Sequence, residues 1–177
     1  MLNRQQAMNK LSSLLKDPRI PPHLELRMST EDKIVLLDKV DCIHLTWFLD
    51  GAFPELQVNC RLYDSHLDLN CFPDLDGGPI PMDECAAEEI IKFLNDVNAY
   101  MKFGAVFYLD PDTTDVVCAG RISYSLLESM PDYLVSMLAG MWEVYTDIGD
   151  GLMGIAQRQL DAQQAFEVLL EKGWKFF

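Results

Sequence analysis

Two neighbouring stretches alternate apolar and polar residues with a period of two. Leu56, Val58, Cys60 and Leu62 alternate with Gln57, Asn59 and Arg61, and Leu67, Leu69 and Cys71 alternate with Asp68 and Asn70. Successive side chains of a strand point to opposite faces, so each stretch reads as a strand with one dry and one wet face. The polar break Asp64-Ser65 is short enough for an antiparallel hairpin. A third run, Cys42 to Leu49, leads in through Asp50-Gly51. The expectation is a three-strand meander, and its dry face must be covered by apolar residues from elsewhere in the chain.

Helical patterns supply that cover. Residues 2–16 place Met8, Leu11 and Leu15 on one face and stop at Asp17-Pro18, before the DPRIPPHL linker. Ser29 followed by Asp32 caps an expected short helix, STEDKIVLLDK, with Ile34, Leu37 and Val40 inward. From about Asp83 to Lys102 runs a strong helix whose stripe is Ile90, Leu94, Val97 and Met101, widened by Phe93 and Tyr100. After it, 104–109 and 116–119 make a hairpin across DPDTTD. A helix beginning at Ser129-Met-Pro131-Asp132 has the stripe Leu134, Leu138, Met141, Tyr145 and Ile148, and is expected to end at the glycines of 149–154. A last helix starts near Asp161, where Gln164 completes a capping-box pattern, and ends at Gly173.

The fold class is therefore α+β: a mainly antiparallel sheet of about five strands, ordered helix, three strands, helix, two strands, helix, with an extra helix at each terminus. At 177 residues this suits one domain. Its parts are a basic N-terminal helix and linker over 1–28, a core over 29–148 and a C-terminal helical extension over 149–177.

Charge narrows the function. The net charge is −14, which opposes a phosphate backbone, whose binding rests on Lys and Arg. No nucleic acid is expected. The charge is uneven: residues 1–28 carry Arg4, Lys10, Lys16, Arg19 and Arg27 against Asp17 and Glu25. This basic segment either docks on an acidic body or forms a solvated helix face. No run approaches the length of a membrane span, and the five cysteines, odd in number and without a CxxC pair, suit a reducing, cytoplasmic setting.

The motifs that would carry chemistry fail on context. Gly149-Asp-Gly151-Leu-Met-Gly154 matches GxGxxG but follows a helix, where a dinucleotide site needs it between strand and helix. Asp110-Pro-Asp112-Thr-Thr-Asp115 begins like a calcium loop but has Asp115 in place of Gly and Arg121 in place of the bidentate Glu. Cys42 and His44, with His66 and Cys71, lack zinc-site spacing. No cofactor, metal or catalytic residue is assigned.

Ile90-Ile-Lys-Phe-Leu-Asn95-Asp-Val-Asn98, then Phe103-Gly-Ala-Val-Phe-Tyr-Leu-Asp110 and Gly120-Arg-Ile-Ser-Tyr124, resembles the YbjN-like bacterial family, which is related in fold to the type III secretion chaperones. The local match covers about 88–135, and the element order over 29–148 agrees with the chaperone arrangement. The resemblance implies a compact α+β fold, usually homodimeric, with chaperone or sensory-regulation roles. Asn95 and Asn98 fall at the family's helix positions, where they suit hydrogen bonding to backbone at the helix-to-strand join.

The expected function is thus a non-catalytic protein-binding module, a chaperone-like or regulatory adaptor acting as a homodimer with a further protein partner. The expected contact residues are Ile90, Phe93, Leu94, Val97, Tyr100 and Met101, with the aromatic tail Trp174, Phe176 and Phe177 either packed on the body or used as anchors. The alternative is a small-ligand-binding protein or enzyme with a site near Cys42, His44 and Trp47.

Overall fold

The computed structural model describes residues 2–21, 23–32, 39–49, 51–75 and 78–174. The alternating stretches form β3 (Glu55–Leu62) and β4 (His66–Asp74), every second residue buried. Tyr63 N–H bonds the carbonyl of His66 at 2.9 Å to close the turn between them. β2 (Lys39–Phe48) lies on the other side of β3, and β5 (Ala105–Leu109) and β6 (Val116–Ser123) form the expected hairpin.

A sixth strand was not expected. β1 (His23–Asp32) pairs antiparallel with β2 from His23–Trp47 to Asp32–Lys39. The expected helix at 29–39 is therefore wrong at both ends, where Ser29–Asp32 and Lys39 are strand; 33–38 lie outside the described residues. A local capping signal yields to a ladder with β2, a tertiary contact invisible to local propensity. The sheet is six-stranded and wholly antiparallel, in the order β1-β2-β3-β4-β6-β5.

The helices are α1 (Arg4–Leu14), α2 (Glu84–Tyr100), α3 (Tyr124–Ser129), α4 (Pro131–Ala156) and α5 (Ala162–Glu171). Asp83 caps α2, and the Asp161–Gln164 capping box opens α5 as its sequence indicates. α3, which has no counterpart among the expected elements, is a six-residue helix capped by Ser123. α1, α2, α4 and α5 share one core with the inner face of the sheet, from Ala7 and Leu11 through Leu45, Val58, Leu69 and Phe107 to Ile90, Val144 and Leu169. The boundaries drawn at 28 and 148 fall inside β1 and α4, and α5 belongs to the same core.

α4 runs through the glycines where it was expected to stop. Glycine costs a helix about 1 kcal/mol relative to alanine, and close packing offsets that here. A Cβ on Gly151 would lie 3.1 Å from the Phe93 ring, and one on Gly154 would lie 2.7 Å from Leu160 Cδ1. The GxGxxG residues are thus buried approach points inside a helix.

Near the middle of α4, the Tyr145 hydroxyl lies 2.7 Å from the carbonyls of both Cys71 and Val116. Pairing of β4 with β6 ends at Cys71–Cys118, and the tyrosine supplies a donor where the strands part. Burial pushes its hydroxyl well above the ordinary tyrosine value, so it stays protonated and able to donate. Tyr145→Phe keeps the ring and removes the donor. Urea denaturation is expected to show a loss of about 1–3 kcal/mol; an unchanged midpoint would mean that this bond adds nothing.

Candidate functional site

The expected contact helix contributes most of its apolar stripe to the chain's own core. Ile90, Phe93, Leu94 and Val97 are each at most 1% exposed. They lie in the core that α2 shares with α4 and α5, so they offer a second molecule no surface. This corrects their assignment as dimer contacts; the stripe was right, but its cover comes from within the chain. Met101 is half-buried. Tyr100 remains accessible at 38%, its ring stacked on Phe166 with centroids 5.5 Å apart. Trp174 is buried edge-on against both rings, while Phe176 and Phe177 lie outside the described residues.

Cys42, His44 and Trp47 do not form a site together. Trp47 points into the core beneath the helices, whereas Cys42 and His44 belong to the opposite face of β2. His44 is engaged across the ladder, Nδ1 lying 2.7 Å from Asn59 Oδ1. Cys71 also faces the core, so the imagined ligands His44 and Cys71 project from opposite sides of the sheet.

The basic N-terminal segment docks in cis. Arg4 pairs with Asp64, and Arg19 bridges Asp17 and Asp132 at the start of α4. The side-chain hydrogen bond from Arg19 holds the Asp17 carboxyl down at about 2.

Asn98 guards one sheet edge. Its Nδ2 donates to the Phe107 carbonyl at 2.8 Å, and the Phe107 N–H donates to its Oδ1 at 2.7 Å. β5 is the terminal strand, so the side-chain amide occupies the place of a neighbouring peptide. This is the backbone role expected for Asn98. An open edge invites a further strand, and at Phe107 that invitation is withdrawn.

Two surfaces remain. The first is the sheet face turned away from the helices. Among the described residues no helix covers it, and His44, Thr46, Gln57, Asn59, Asp68 and Asn70 make it mostly polar. Its corner on β5 and β6 is apolar: Val106 is 55% and Tyr108 39% exposed, paired with Ala119 and Val117. A shallow depression of about 420 Å³ there is bordered by Asn70, Val106, Ala119 and the Asp68–Arg121 ion pair, whose shorter contact is 2.6 Å. The second surface is the seam between α2 and α5. There Glu89 accepts from the Ala162 N–H at 3.0 Å, tying α2 to the start of α5. The Lys92 hydrogen bond and that N–H together hold the Glu89 carboxyl below its ordinary value.

No family model, curated protein or solved structure matches this chain. Among the described residues no helix is long and apolar enough to cross a membrane.

Two substitutions separate these assignments. Val97→Asp places an unpaired carboxylate in the core, and circular dichroism is expected to show loss of cooperative folding; a folded protein with altered assembly would restore Val97 to a surface role. Asn98→Ala strips both partners from the Phe107 backbone. It is expected to cost about 1 kcal/mol in urea and to raise light scattering from edge pairing, and a variant indistinguishable in both would remove the guarding role.

Proposed function

We propose that this chain is a non-catalytic protein-binding domain, a chaperone-like or regulatory adaptor that acts as a homodimer. The observation that carries the reading is the sheet face that no described helix covers, with its apolar corner at Val106 and Tyr108. Apolar side chains gathered on a solvated sheet face are a feature of interaction sites. The resemblance of 88–135 to the YbjN-like family points the same way.

Charge selects the self-contact. Two copies of a chain with net charge −14 repel each other, so they are expected to meet through a locally neutral patch. The β5–β6 corner qualifies, because Asp68 and Arg121 neutralise each other and the remaining residues around the depression are uncharged. Burial raises the Tyr108 hydroxyl above its ordinary value, helped by Asp110 and opposed by Arg61, which keeps this residue neutral at physiological pH. Each copy would lay Val106 and Tyr108 on the small-residue floor of the other in an isologous contact.

Sedimentation velocity over a concentration series tests this. The parent chain is expected to shift from monomer to dimer with rising concentration. Val106→Asp with Tyr108→Asp is expected to remain monomeric while still unfolding cooperatively, since neither side chain belongs to the core. A parent that stays monomeric at high micromolar concentration, or a double variant that still dimerises, would overturn the self-contact.

A further inference from the structure

We infer that the seam between α2 and α5 is the docking groove for a partner, and that its occupant is a cationic amphipathic segment of another polypeptide. The inference deepens the protein-binding reading by assigning the partner's chemistry and rests on that reading. It uses a surface separate from the proposed self-contact.

The groove encloses about 570 Å³. Four carboxylates line it, Glu89 and Asp96 from α2, Asp161 at the cap of α5 and Glu167 within α5. The only cation among its described lining residues is Lys92, and Glu89 already holds it. Between the acidic walls lies Phe166, stacked on the accessible Tyr100, and Leu170, one turn further along α5, is 42% exposed. An apolar floor between carboxylate walls complements a segment with Lys or Arg on its flanks and an apolar anchor at its centre. A single exposed ion pair contributes little, so several carboxylates flanking one apolar floor are the relevant feature. The same acidity disfavours a second copy here.

The chain's own basic segment is not the occupant. Arg4 and Arg19 are committed to Asp64 and Asp132, on other parts of the body. A partner must therefore supply the charge in trans. A neutral or acidic segment would gain nothing from the surplus negative charge of the walls, and an anionic membrane surface would be repelled.

A fluorescein-labelled synthetic helix of alternating lysine and leucine turns is the probe, read by fluorescence anisotropy against the full chain. Binding is expected, weakened by added salt. Asp96→Lys with Glu167→Lys is expected to weaken it at least about tenfold, with the urea midpoint unchanged because both residues are exposed. The control is Asp112→Lys with Glu128→Lys, which makes the same change in net charge on exposed residues away from the groove. It is expected to leave affinity within about twofold of the parent. No binding to the parent, or equal weakening by the two double variants, would overturn the groove and reduce the attraction to net charge alone. A dimeric parent that ignores the probe would overturn only the groove, whereas a monomer that binds it through Asp96 and Glu167 would overturn only the homodimer.

Discussion

Tyr145 sits where three parts of the molecule meet. From α4 it reaches the carbonyls of Cys71 on β4 and Val116 on β6, and its ring stands edge-on to Phe107 of β5, centroids 4.9 Å apart. A buried hydroxyl without acceptors would be costly, so α4 has little freedom to slide along the sheet. With α4 fixed, Gly151 admits the Phe93 ring from α2 and Gly154 admits Leu160 on the way into α5. The seam between α2 and α5, and a far sheet face that no described helix covers, both follow from α1, α2, α4 and α5 packing on one side.

That one-sidedness divides the surface by charge. Acidic groups crowd the helical side, where Glu89, Asp96, Asp161 and Glu167 flank one seam, while the apolar corner on the far side carries the compensated pair Asp68–Arg121. A chain so acidic overall has few uncharged patches, and the compensated corner is one of them. The Asn98 clamp on Phe107 adds a constraint, because it closes the middle of the β5 edge and leaves that strand its outer face for contacts.

Much of the fold is legible in the sequence wherever the signal is local. The alternation in β3 and β4, the stripes of α2 and α4, and the capping pair Asp161–Gln164 all appear in place. What escaped depends on distant partners. Ser29–Asp32 carries a helix-start signal and becomes strand through β2, and the glycines at 149–154 resemble a stop until Phe53, Phe93 and Leu160 are seen against them. The site was harder to read for the same reason. A wide apolar stripe does not reveal whether its cover comes from the same chain or another, and for Ile90, Phe93, Leu94 and Val97 it is the same chain. Val106 and Tyr108, which alternate with the buried Ala105 and Phe107, carried the missed hint: two large apolar residues on the wet side of a short strand.

The proposed self-contact lies at the β5–β6 corner of the sheet face that no described helix covers, and not on α2. Hydrogen–deuterium exchange compared between low and high micromolar protein reads this directly. Amides of β5 and β6 are expected to slow as concentration rises while those of α2 and α5 stay the same. Protection confined to α2 and α5, or exchange that does not depend on concentration anywhere in the chain, would contradict it.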